Sequence, residues 1–79
     1  MSTAAIALFS DGRQMTDPKT VNIGWDVHAT FDITSQFWPV TINQVGIWSE
    51  AGFALNDVPV TRTFEAPGRF ELFLRPPFV

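Results

Sequence analysis

The chain has no cysteine and no tyrosine, a single histidine, and only 16% charged residues among its 79. Without cysteine there is no disulfide to brace the fold, and one imidazole is a poor anchor for a structural metal, so two common supports of small domains are excluded. A thiol-free chain suits a reducing compartment. No apolar run approaches the length that spans a membrane, and the stretch from Ala4 to Phe9 lacks the basic flank of a secretory signal. The expectation is synthesis in the cytoplasm with no signal peptide and no membrane partner, and the Met1 start reads as a complete reading frame. Basic residues are also scarce. Residues 1–57 hold two bases and six acids, whereas residues 58–79 hold Arg62, Arg69 and Arg75 against Glu65 and Glu71. Three spaced arginines among acids do not make the basic stripe that neutralises phosphates, which argues against nucleic acid as the partner.

Apolar residues are what the chain does have: 46% of the total, with eight Phe and three Trp. Each ring removes about 150–250 Å² from water when buried. A domain of this size hides only about 60–65% of its unfolded surface. Eleven rings therefore compete for a small interior, and some are expected at an interface. Self-association is the remaining way to support so small a fold.

The pattern of apolar residues is that of strands, with no helical period and no internal repeat. Val21, Ile23, Trp25, Val27, Ala29, Phe31 and Ile33 alternate strictly with polar or small residues up to Thr34, the period of a half-buried strand. Its length predicts a bend near Gly24 or one strand that serves both sheets of a sandwich. Pro39 interrupts the pattern. A second strand runs from about Val40 to Trp48, where Val40 and Ile42 lie on one parity and Val45 and Ile47 on the other, so a β-bulge is expected at Asn43-Gln44. Turns are predicted at Glu50-Ala51-Gly52 and Asn56-Asp57, with an alternating face resuming at Val58, Val60 and Phe64. Ala66-Pro67-Gly68-Arg69 then predicts a hairpin into Phe70, Leu72 and Leu74. The fold class that results is all-β: a small antiparallel β-sandwich of five to six strands spanning residues 20–75, immunoglobulin-like or jelly-roll-like. Residues 1–19 read as a flexible arm or an edge hairpin, and residues 76–79 as an extended Pro-Pro tail.

Candidate chemistry is thin. Asp26, His28 and Asp32 share the polar face of one strand, on which neighbouring positions lie about 6.6 Å apart, and with Trp38 they form a candidate ligand-binding face for a carbohydrate. Parallel projection from one strand does not converge on a metal, and the simpler reading is a wetted sheet face. No serine lies in a glycine-flanked elbow and no glycine loop cradles a phosphate. No catalytic residue, metal or cofactor is expected.

Contact residues are easier to name. Trp48 lies opposite in parity to Val45 and Ile47, and Phe73 opposite to Phe70, Leu72 and Leu74, so both faces of those strands are apolar. Either a second molecule or a loop of the same chain covers such rings. Phe37 and Trp38 occupy a loop, and Phe78 ends the tail. These five, with Arg62, Arg69 and Arg75 to set register, form the expected interface.

The segments Ala29–Thr34, Pro39–Trp48 and Ala66–Leu72 together resemble small immunoglobulin-like sandwiches. The short thiol-free chain, apolar composition, N-terminal arm and Pro-Pro-Phe tail also resemble the decoration, or cement, proteins of tailed-phage capsids. That second resemblance implies a non-enzymatic structural protein on a virion surface, often a homotrimer, bound to a larger protein assembly. A ligand-binding module and a small acidic regulatory or inhibitor protein are the alternatives the residues leave open.

Overall fold

A computed structural model describes residues 2–24 and 26–75, with the backbone alone at Ser2. Trp25 and the tail from Pro76 onward, including the expected contact Phe78, lie outside the described residues. The chain is all-β, in two antiparallel sheets. Its strands are β1 (Ser2–Ser10), β2 (Arg13–Gln14), β3 (Lys19–Ile23), β4 (Val27–Ile33), β5 (Val40–Ser49), β6 (Gly52–Phe64) and β7 (Gly68–Leu74). The larger sheet runs β2-β1-β5-β6, with β3 also paired to β1; the smaller sheet is β4 and β7 alone. The described residues thus hold seven strands rather than five or six.

The alternation from Val21 to Thr34 ends one strand and starts another. β3 pairs with β1 in the larger sheet and β4 with β7 in the smaller, so the run does serve both sheets, and Gly24 marks the break. Along β4 the alternation is strict: Val27, Ala29, Phe31 and Ile33 are buried and His28 and Asp32 exposed. The opposing layer supplies Ala4, Ile6 and Leu8 of β1 and Val40, Ile42, Val45 and Ile47 of β5. No buried polar or charged residue interrupts this core among the described residues.

β1 is not an arm or an edge. Ala5 and Ile6 pair with β5 on one side and β3 on the other, and Phe9 pairs with both Gln44 and Gln14. A strand apolar on both parities is covered best in the interior of a sheet. Asp11 and Gly12, both at positive φ, form the two-residue turn into β2, the handed turn that matches strand twist. That turn is tied to β5, since Asp11 N donates to Asn43 Oδ1 at 2.9 Å and Asn43 Nδ2 to Asp11 Oδ1 at 2.6 Å.

The irregularity expected at Asn43-Gln44 is present, and most of its extra length is on the partner strand. Ile42 pairs with Arg62 but Gln44 with Asp57, so Asn43 opposes the whole stretch from Val58 to Thr61. Proline at position 59 has no ladder donor to give. Two expectations fail here. Asn56 and Asp57 lie within β6 instead of in a turn, and Val60, expected on the core face, is 74% exposed because the bulge carries it outward. The Pro67-Gly68 turn also differs from a hairpin, because β6 pairs with β5 and β7 with β4. It carries the chain between layers, and Phe64 and Phe70 meet across the interior with ring centroids 6.4 Å apart.

Two substitutions read this architecture. Ile6→Ala, in a fully buried position of β1, should lower unfolding free energy in urea by about 2–5 kcal/mol. Val60→Ala should change it by less than about 0.5 kcal/mol; equal losses would place Val60 back in the core.

Candidate interaction surface

The outer face of the larger sheet carries an apolar cluster separate from the core. Reading across the strands, Phe53 pairs with Trp48 and Trp48 with Ala5; in the next row Leu55 pairs with Gly46 and Gly46 with Ala7. Phe9 lies one row further along β1. Its ring centroid is 6.2 Å from Trp48 and 6.3 Å from Phe53, and the latter two are 5.0 Å apart, all tilted. Such tilted arrangements suit the ring quadrupoles.

Gly46 makes the cluster possible. A β-carbon there would overlap Cε1 of Phe9 and lie 3.1 Å from Cε1 of Phe53, so the two rings occupy the space a side chain would take. Ala7 is fully covered and Phe9 nearly so, on the face of β1 that points away from the core. The cluster's outer rim stays open: Phe53 is 53% exposed and Leu55 40%.

Of the expected contact residues, the structure gathers only Trp48 into this cluster. Phe37 projects from the β4–β5 loop, 73% exposed, whereas its neighbour Trp38 packs against the core. Phe73 lies on the outer face of the smaller sheet, its ring stacked on His28 at 4.4 Å and 3°. Phe9, Phe53 and Leu55 are not among the contact residues the sequence singles out. Ala5, Ala7 and Phe9 share a parity opposite to Ile6 and Leu8, and Phe53 follows the Glu50–Ala51 turn at the same distance that Trp48 precedes it. Those two spacings were the available signal.

The charged candidates are engaged within the fold. Arg75 Nε is 3.1 Å from Asp26 Oδ1, His28 Nε2 is 3.2 Å from Glu71 Oε2, and Arg69 Nε is 3.7 Å from Asp32 Oδ1. Arg62 Nη1 donates to the Arg69 carbonyl at 3.2 Å and its guanidinium lies over Phe64 at 4.6 Å. His28 and Asp32 therefore each meet a β7 side chain, and Asp26 meets Arg75 just beyond the paired ends of β4 and β7. They do not converge, and no group of three or more metal-binding side chains occurs among the described residues.

No protein-family model matches this sequence, and neither curated proteins nor solved structures provide a match.

Gly46→Ala should displace Phe9 from the cluster and lower stability by about 1–3 kcal/mol, the range for overpacking. Near-ultraviolet circular dichroism should weaken in parallel as the rings lose their fixed packing; an unchanged spectrum and midpoint would mean that the rings do not rely on that space.

Proposed function

We propose that this is a non-enzymatic interaction protein that self-associates and docks on a larger protein assembly through the outer face of its larger sheet. The observation that carries this reading is the open rim of the Phe9–Trp48–Phe53 cluster, where Phe53 and Leu55 stay exposed after the interior has been filled. In a two-layer domain the outer faces meet water, and a contiguous aromatic patch there marks a contact site. Aromatic anchors surrounded by small residues, here Ala5, Ala7 and Gly46, suit a flat contact with a protein surface better than a small-molecule pocket.

A capsid is the assembly this fits best, with the chain as a decoration protein. A shell offers many equivalent sites, so a small domain with one apolar face binds repeatedly without needing a deep cleft. The resemblance to decoration proteins of tailed-phage capsids supports the same assignment. The placement of Asp26, His28 and Asp32 favours it over the carbohydrate module, because the three groups are spread along a strand, each beside a different partner, and do not converge on one ligand.

In extracts of its native source, the chain should sediment with particles far larger than a 79-residue protein. Trp48→Ser with Phe53→Ser should return it to the light fractions while the purified variant keeps its far-ultraviolet spectrum. Wild-type protein confined to the light fractions would sink the proposal.

A further inference from the structure

Among the described residues the smaller sheet consists of β4 and β7 alone, so each of its strands has a neighbour on one side only and presents an edge on the other. On β4 the open side is identifiable, because Lys19 Nζ, from β3 in the other sheet, donates to the Thr30 carbonyl. That carbonyl therefore points away from β7. Since hydrogen-bonding groups alternate in direction along a strand, those of His28 and Asp32 face the same way. A cleft of about 490 Å³ runs along this edge, between Gln14–Asp17 on one wall and Thr30–Asp32 on the other.

We propose that a second copy of this chain fills that edge, its β4 pairing antiparallel with β4 about a two-fold axis at Thr30, so that the two small sheets become one. This deepens the reading of a self-associating protein by assigning the self-contact to an edge rather than to the aromatic face. Charge and side-chain pairing select the register. Centred on Thr30, His28 stands opposite the second copy's Asp32, twice, and Thr30 stands opposite itself; unlike groups and Thr–Thr are favourable cross-strand pairs. Centring on Asp32 would oppose two carboxylates, and centring on Ala29 would set Asp26 against the second copy's Asp32. An isologous contact of this kind closes on itself, as a dimer. Lys19 holds the place of the incoming strand. Its ammonium, 5.3 Å above the Phe31 ring, gives up the Thr30 carbonyl to the second copy's backbone N–H.

The geometry has a consequence for docking. A two-fold axis normal to the small sheet keeps the apolar faces of both copies of β4 on one side. Both larger sheets then lie on that side too, and their aromatic outer faces point in the same direction. The dimer presents two copies of the docking face, and the second engagement with a repetitive partner becomes intramolecular.

The absence of cysteine makes the test direct. Paired Thr30 positions would have Cα atoms about 5.5 Å apart, within disulfide reach. Under mild oxidation Thr30→Cys should become mainly a disulfide-linked dimer, while Thr61→Cys and Glu71→Cys stay monomeric on non-reducing gels. His28→Asp, which opposes carboxylate to carboxylate at both ends, should weaken the dimer seen in sedimentation equilibrium by about tenfold. Adding Phe53→Ser to the Thr30→Cys chain should leave the cross-link intact, so failure of docking and failure of edge pairing are told apart. The proposal is overturned if Thr30→Cys stays monomeric while folded, if Glu71→Cys links as readily, or if Phe53→Ser abolishes the link.

Discussion

Where β1 lies against β5, side chains leave water on both faces of the sheet. Ile6 and Leu8 meet Val45 and Ile47 on the inner side, and Ala7, Gly46 and Phe9 are covered on the outer side. The inner half is ordinary sandwich core, roughly 25 cal/mol for each Å² of apolar surface removed from water. The outer half is unusual for a two-layer domain. It requires small residues in the centre of the sheet so that rings from three strands can fold over them, and that requirement places Gly46 and Ala7 in adjacent register. The rest of the larger sheet follows. β2 and β3 share the far edge of β1, β6 covers the far edge of β5, and the bulge opposite Asn43 lets Val58 and Phe64 both reach the core although the strand between them is out of step.

The parts of this fold legible in the sequence are those decided by strict period two. β4 alternates without exception, and the parity switch between Ile42 and Val45 is visible because both residues must face inward. What local patterning does not contain is which strands pair. Pro67-Gly68 specifies a change of direction, and nothing in those residues distinguishes a hairpin from a crossover between layers; that choice lies in the burial of Phe64 and Phe70 on opposing sheets. The same limit hid β1. Its six-residue apolar run satisfies neither a clean alternation nor a helix, which is the signature of a strand covered on both faces.

The surplus of aromatic residues is legible in the sequence, but which of the rings lie outside the core is not. Surplus aromatic residues imply rings outside the core, and the structure has them. Exposure and loop position pointed to Trp38, yet Trp38 packs inward and its neighbour Phe37 carries the exposure. The cluster instead assembles from three strands that are distant along the chain, each contributing one ring. Such a patch exists only once register is known, because Phe9, Trp48 and Phe53 become neighbours through two independent pairings.

The charge asymmetry along the sequence has an internal explanation. The excess of arginine from Val58 onward and of acids before it is matched inside the fold: β7 pairs with β4, so Arg69 meets Asp32 across the small sheet, and Arg75 meets Asp26 just beyond its strand ends. Lys19 and Arg62 reach that sheet from the other layer, one to the carbonyl of Thr30 on β4 and one to that of Arg69 on β7, each resting on a core phenylalanine. Four of the chain's five basic residues thus act on its two-stranded half. Exposed pairs of this kind contribute about 0–1 kcal/mol each, too little to hold a sheet together. Their value is directional: the cross-strand pairs fix the register of β4 and β7, and the two cations occupy edge carbonyls that would otherwise invite any passing strand. A cation is a weaker occupant than a strand, since it satisfies one acceptor and leaves the neighbouring N–H groups open. An edge guarded in this way rejects poorly matched segments and yields to one that offers a full ladder.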